Sequence, residues 1–505
     1  MVEEKLSKLC SNLAYSQNEE FSNEIINSTI HELKKLWNWY GYAKVFGELS
    51  KSWNLPKAIT FFNRIDLSIN SSGKISTIAT HYRRCYNGGI ERVQAQLMNL
   101  WVQMGYKVVL FTEEPENDLD YAYPDSVKRI LIPSPDKIVE RLSILERACI
   151  EEKVDLYVNH NWDNSSVLWE CMTLKMLHIP FIQYVHGHFA WNIWMNRNSL
   201  YQPELFKLCN LVLSLSETNA RFYQLCGCKS YMVQNPIPKD LIENKDVSCL
   251  NSKHILMVGR LSIEKHPMDA LRIFKIVHEK VPNAVLDIVG GDDYDFIPRI
   301  SSYIEQNDLK RAVIIHGKKI QSEIAEFYKN SACVIFTSEM EGYPMVILES
   351  KAYGLPLIMY ELPYLSLVKD GKGVVSVKQG DIDAMAKSII KLLNNDEYRI
   401  NLGKEARESF ETFKAYDIES TWEKIITLCS TGEYSPNDLA YFNPDNVMYA
   451  DKFIEPMLLD SIKKGYDYVV ETNFYYKFGR KILQIPRKLK HVLLAMKGVL
   501  KHGEK

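Results

Sequence analysis

The sequence predicts an α/β protein of two consecutive doubly wound domains facing a cleft, with a helical N-terminal extension and a basic C-terminal tail. Three observations predict it. Short β-rich runs alternate with amphipathic helical stretches from residue 74 onward, the rhythm of parallel sheets covered by helices on both faces. That rhythm pauses at 235–252, where Asn-Pro-Ile-Pro and a polar stretch read as a linker, and then starts again. The chain of 505 residues is also long enough for two or three domains, each with its own core.

Taken in order, residues 1–72 read as a helical extension, in which Ile26, Ile30, Leu33 and Trp37 are spaced for one helix face. Such a face packs on the main body or on a partner. In the first α/β domain, 73–235, strands are expected at 75–80, 107–112, 127–132, 156–159, 181–185 and 211–215, with helices at 90–104 and 137–149. Ile90, Val93, Leu97, Leu100, Trp101 and Met104 share a face, as a helix covering a sheet requires. After the linker, 236–252, the second domain at 253–412 has strand candidates at 254–258, 285–289, 313–316, 333–337, 356–359 and 374–377. Helices are expected between them, for example at 267–281 and 321–328. Ligands of such sheets bind beyond the C-terminal ends of the strands.

Composition excludes several classes. Hydrophobic residues make up 46% and charged residues 25%, as in an ordinary globular protein. The net charge of -2 gives no global preference for nucleic acid or acidic surfaces, so any such preference must be local. Ten cysteines lie scattered without a C-x-x-C pair, which reads as reduced thiols rather than a metal site or disulfide framework. The start of the chain lacks a signal-peptide pattern, and no apolar run reaches the roughly 18 residues that span a bilayer. A cytoplasmic protein is expected, unless it rests on the inner membrane face. Residues 434–505 form a C-terminal extension. Its stretch 475–501 interleaves Lys477, Arg480, Lys481, Arg487, Lys488, Lys490, Lys497 and Lys501 with apolar residues, and Gly479 and Pro486 interrupt it. That pattern suits an anionic membrane surface, and equally a solvated tail or a subunit contact.

Four constellations carry chemistry. Glu341-Gly-Tyr-Pro-Met-Val-Ile-Leu-Glu349 follows a strand, and Pro344 suits the first turn of a helix. The free N–H groups of Met345 and Val346 there would face an anion such as a diphosphate. Glu341 precedes that helix, and Glu349 lies about one turn in, where a carboxylate can accept bonds from ribose hydroxyls. The second, Gly259-Arg260-Leu-Ser-Ile-Glu-Lys265, puts two cations where a departing diphosphate would gather charge. The third is Asn87-Gly88-Gly89, where backbone can approach a phosphate or sugar closely, although a structural turn explains the glycines equally well. The fourth is His186-Gly187-His188 at a strand end, where a histidine could donate to a sugar or phosphate but is more often structural.

Together these residues resemble glycosyltransferase family 4, a group of retaining enzymes of GT-B fold with two Rossmann-like lobes. The run M-V-G-R-L-S-I-E-K, the G-G-I-E-R-V turn and the E-x7-E segment carry the resemblance, over about 74–432. It implies Arg260 and Lys265 at the donor diphosphate, Glu341 facing the donor sugar, Glu349 on the ribose and the Met345 and Val346 amides on phosphate. It also implies His186 near the anomeric centre, Gly88 and Gly89 in the first lobe's glycine loop, and His316 and Gly317 bordering the base. A last helix, 413–433, would cross back to the first lobe. The expected reaction moves a hexose, with UDP as default carrier, to a glycan or lipid-linked acceptor in surface polysaccharide or glycoconjugate synthesis. No cofactor or strictly required metal is expected, no nucleic acid, and an oligomer stays open. Two other readings stand beside it: a metal-dependent GT-A transferase using Asp293-Tyr-Asp295, and a silent nucleotide-sugar or glycan-binding module. Trp191 and Trp194 lie in a stretch that could stack on an acceptor sugar or form a mobile hydrophobic loop.

Overall fold

The computed structural model describes residues 2–16, 22–65, 73–86, 88–161, 166–195, 201–292, 295–432 and 444–472. Asn87, Asp293 and the tail 475–501 lie outside them. Strands β1 (Thr77–His81), β2 (Lys107–Thr112), β3 (Lys128–Leu131), β4 (Leu156–Asn159), β5 (Phe181–Val185), β6 (Leu211–Ser214) and β7 (Ser230–Met232) form one parallel sheet in the order β3-β2-β1-β4-β5-β6-β7. Strands β8 (His254–Val258), β9 (Val285–Val289), β10 (Val313–Gly317), β11 (Cys333–Phe336), β12 (Leu357–Tyr360) and β13 (Val374–Val377) form a second parallel sheet, ordered β10-β9-β8-β11-β12-β13. The architecture is GT-B. Two separate doubly wound sheets replace the alternative GT-A arrangement.

In both sheets the strand order reverses between the first strand and the fourth. In an open α/β sheet a crevice opens at that point, outside the carboxyl ends of the strands. The two topologies therefore each provide one crevice, at β1/β4 and at β8/β11. Strands β1, β4, β5, β6, β11 and β12 are buried at every residue, as helices on both faces of a parallel sheet require.

The N-terminal helices Asn23–Tyr40, Tyr42–Ser52 and Leu55–Phe62 belong to the core of the first lobe. Phe46 and Phe62 meet Trp169 of the helix Ser166–Met176 at centroid distances of 6.2 and 6.1 Å. A Cβ at Gly47 would lie 2.8 Å from Val139 Cα, so the helix Tyr42–Ser52 lies directly on the helix Ile138–Glu151. Of the two readings of this extension, the structure selects attachment to the main body.

Two expectations are corrected, at Trp191 and Pro344, and two regions gain an element that was not expected. The stretch around Trp191 is a helix, Phe189–Met195, rather than a loop. The linker 236–252 holds a short helix, Lys239–Ile242, and Asn235, just ahead of the linker, lines the cleft while accepting from Tyr184 Oη at 3.1 Å. Pro344 is the N-cap of the helix Met345–Ala352 and not in its first turn. The C-terminal extension includes a helix, Pro444–Thr472, with Pro456 inside it, which periodicity did not reveal. The helix Ile418–Thr431 puts Trp422 edge-on against Trp101 of the first lobe, 4.9 Å between centroids. No helix among the described residues is long and apolar enough to cross a membrane.

Candidate active site between the lobes

The C-terminal lobe supplies the charged wall. β8 ends at Val258, and Gly259 takes φ +140°, open to glycine and strained for any other residue. A Cβ at Gly290 would lie 1.8 Å from the Gly259 carbonyl oxygen, so the turn lies flat on the end of β9. This aims Arg260 outward: its side chain is 58% exposed, with the guanidinium 3.9 Å from Glu264. The one-turn 3-10 helix Ile263–Lys265 then carries Lys265 back to Glu341, and their ammonium and carboxylate are in contact. Thr337, just past the end of β11, donates to the Lys265 carbonyl at 2.7 Å and fixes that turn. On the Glu341 side, the Tyr364 hydroxyl accepts from the Glu341 N–H at 2.8 Å and donates to its carbonyl at 3.1 Å. Met345 and Val346 fall in the first turn of their helix, where N–H groups have no intrahelical acceptor and the dipole favours an anion.

Uncharged groups line the N-terminal wall: His186, His188 and Asn235 among Ile90, Trp191 and Leu215. Gly88 is extended, and a Cβ there would lie 2.2 Å from a Glu91 carboxylate oxygen. That carboxylate folds back over the glycine and accepts from Arg84 Nε at 2.8 Å. A Cβ at Gly89 would meet nothing within 4 Å, so its backbone faces open space. His186 follows β5 and stands 2.7 Å (Nε2) from Nδ1 of His160, which follows β4. His160 Nε2 is 3.1 Å from Thr80 Oγ1, and Thr80 accepts from Gln94 Nε2 at 3.2 Å. Burial holds His160 well below the ordinary imidazole range and His186 at about 3, so both rings are neutral. The proton order that also uses the Thr80 hydroxyl runs one way: Gln94 donates to Thr80, Thr80 to His160, and His160 to His186. His186 then carries its remaining proton on Nδ1 and is a hydrogen-bond donor. His188 is also kept neutral, at about 3, by burial.

Behind this wall Arg141 is wholly buried, donating to Glu170 at 2.6 Å and pairing with Glu113 at 2.9 Å. Its guanidinium is 3.1 Å from His81 Nε2, and because arginine only donates, that nitrogen must accept. Burial pushes the Glu170 carboxyl up, but Arg141, His81 and Ser166 together outweigh it and hold the group well below the usual carboxylate range. This cluster ties the end of β1 to the helices behind it.

The two walls meet at one seam. A Cβ at Gly342 would lie 2.1 Å from the His186 carbonyl oxygen, so the lobes touch there backbone to backbone. Beside it opens a cavity of about 280 Å³ lined by Gly89, His186, Arg260, Lys265, Glu341 and Met345 among others. Of the remaining residues expected at the donor, Gly88, Val346, Glu349, His316 and Gly317 lie off that cavity wall. Glu349 spans the lobes instead, accepting from Arg92 of the first lobe at 2.9 Å and from Tyr328 at 2.8 Å. His316, at the end of β10, is 2.7 Å from Asp287, and the Gly317 carbonyl accepts from Gly290. Sequence reasoning missed Thr80, Gln94, His160 and Tyr364. The signal for His160 was present: it occupies the same place after β4 that His186 occupies after β5.

Two family models match consecutive parts of the chain, Glycosyltransferase Family 4 over residues 87–241 and Glycosyl transferases group 1 over residues 239–409. An uncharacterized glycosyltransferase of Haemophilus influenzae is 23% identical over 355 residues, 67% of this chain and 96% of its own length. A poly(glycerol-phosphate) alpha-glucosyltransferase of Bacillus subtilis is 27% identical over 33% of this chain and 24% of its own length. Among solved structures, a sucrose-phosphate synthase from Thermosynechococcus elongatus superposes with a TM-score of 0.60 at 15% identity, over 71% of this chain and 100% of that one. HepE of Anabaena, solved with UDP and glucose, gives 0.56 at 14% identity, over 70% and 100%. The likenesses to solved structures carry the fold, and the two family models, which together span residues 87–409, carry the family. The chain belongs to glycosyltransferase family 4, as a group 1 glycosyltransferase of GT-B fold.

Proposed function

We propose that the chain transfers a hexose from a nucleotide-sugar, with UDP as the carrier, to a glycan or lipid-linked acceptor, and that it does so with retention. The observation that carries this reading is the meeting of Arg260, Lys265 and the first turn of Met345–Ala352 with neutral His186 in one cleft between lobes. Fixed cations and a helix N-terminus match a diphosphate, whose charge grows as the glycosyl bond breaks. A neutral imidazole that donates through Nδ1 matches an uncharged sugar hydroxyl. That HepE was solved with UDP and glucose supports the carrier. The poly(glycerol-phosphate) alpha-glucosyltransferase among the relatives supports a surface polymer as acceptor.

In the step we favour, the acceptor oxygen bonds to the anomeric carbon on the face from which the phosphate leaves. The C1–O bond breaks with its electron pair passing to the phosphate, and the acceptor's hydroxyl proton moves to that phosphate oxygen. Lys265 and Arg260 hold the leaving diphosphate. A retaining glycosidase instead uses two close carboxylates, one as nucleophile. Glu341 is here engaged by Lys265, so its part is to orient that cation and contact the sugar. We assign no metal to the reaction; undiminished transfer in excess chelator is the expected result. The basic stretch 475–501 would hold the enzyme at the inner membrane face, so a chain ending at residue 474 should no longer float with anionic vesicles.

Thermal stabilisation by UDP-, GDP- and ADP-sugars tests the donor. A ligand at about 100 times its Kd stabilises by about 2.7 kcal/mol and raises the midpoint visibly. No shift with any UDP compound would sink the carrier assignment, and a product anomer inverted relative to the donor would sink retention.

A further inference from the structure

The helix Pro444–Thr472 follows the segment matched by the family models and touches both walls of the cleft. On the N-terminal wall, a Cβ at Gly465 would lie 3.5 Å from the carbonyl oxygens of Ile193 and Trp194. The helix thus rests against the main chain of Phe189–Met195, whose Trp191 lines the cavity. Arg221 of the same lobe pairs with Asp451 at 2.8 Å and anchors the helix earlier along its length. On the C-terminal wall, the Lys464 ammonium contacts the Glu339 carboxylate, with Asp460 at 2.7 Å and the Trp194 ring centre at 5.4 Å.

Glu339 connects that contact to the donor machinery. Its N–H donates to the Glu264 carbonyl at 2.8 Å, and its other carboxylate oxygen is 2.9 Å from His266 Nε2. Glu264 and His266 flank Lys265 on either side, and Glu339 itself is two residues from Glu341. His266 has φ +46°, a left-handed conformation uncommon for a non-glycine residue. The Glu339 carboxylate holds the turn on its His266 side, and the Glu339 amide holds it on the Glu264 side.

We infer that Lys464 is a positioning residue for the donor site: through Glu339 it holds the turn that carries Lys265, while its helix braces the opposite wall. This inference rests on the reading of the cleft as a nucleoside-diphosphate site. The helix lies outside the matched segment, so the brace belongs to this chain's own extension.

Two measurements on the full chain test it. Amide hydrogen exchange without ligand reads the brace itself. In Lys464→Met, amides at 263–266 and 338–341 should exchange about 5-fold or more faster than in wild type, with Lys464→Arg restoring protection. Unchanged exchange would overturn the inference. UDP titration by calorimetry reads the consequence: Lys464→Met should weaken UDP binding about 3- to 10-fold. Lys464→Met combined with Glu339→Gln should be no weaker than the worse single variant, because both break one linkage. Arg221→Ala, which loosens the helix away from the donor turn, should leave UDP binding within about 2-fold of wild type. Additive losses, or an equal loss in Arg221→Ala, would overturn the positioning role in favour of general support. Failure of wild type to bind UDP would sink the nucleotide reading, and the exchange experiment would still decide the brace.

Discussion

The two walls of the cleft grow from sheets that reverse at corresponding strands, yet they carry opposite chemistry. The C-terminal wall carries charge-bearing side chains, Arg260, Lys265 and Glu341, beside a helix start. The N-terminal wall presents His186 and His188, with His160 behind, all kept neutral by burial. Topology therefore fixes where a site forms, and the residues just past the strand ends fix what it can hold. A charged wall suits a diphosphate, whereas a neutral wall suits a sugar whose hydroxyls carry no charge.

The largest effect expected from this division is at Lys265. Lys265→Ala should lower turnover about 10²- to 10³-fold while changing the donor KM less than about 10-fold, because its charge matters most as the phosphate leaves. Initial rates across donor concentration check this, and unchanged turnover in a folded variant would break the comparison. His186→Ala removes one neutral donor and should cost about 10-fold in turnover. A larger loss at His186 than at Lys265 would reverse the ranking of the walls. Thr80→Val deletes the hydroxyl that orders the His160–His186 pair, and should cost about 3- to 10-fold in turnover with little change in donor binding.

The smallest effect is on pH. With His186 at about 3 and His160 also held low, neither ring should titrate in the rate profile between about pH 5.5 and 8. An inflection near 6.5 that disappears in His186→Asn would show the wall to be ionisable after all. His266 behaves in the opposite sense, since its hydrogen bond to Glu339 raises its pKa against burial and the Lys464 charge. Its contribution to stability is present below about pH 6.5, its unfolded value, and is lost as pH rises through the folded value. Denaturant midpoints measured across that window should fall in wild type and stay flatter in His266→Gln.

Much of this was legible in the sequence. Alternation of short apolar runs with helical stretches exposed both sheets, because buried parallel strands and covering helices leave distinct periods. That Arg260, Lys265 and Glu341 share one cleft was legible because each lies within about seven residues of a strand end, where the crevice of an α/β sheet opens. Thr80 and Tyr364 were not, since their roles depend on contacts between segments that are 23 to 80 residues apart. Glu349 was recognised as a residue, but its contact with Arg92 crosses 257 positions and the gap between lobes. The helix Pro444–Thr472 escaped because Pro456 and a mixed apolar pattern obscure its period.

The seam at Gly342 works as a spacer of zero thickness. With a Cβ at 2.1 Å from the His186 carbonyl oxygen, any side chain at 342 would wedge the two walls apart. At this point the spacing between the wall of Arg260 and Lys265 and the wall of His186 is set by main chain against main chain. Trp191 and Met345 line the cavity beside that contact and not the contact itself, so the width of the cleft and the shape of its lining belong to different residues.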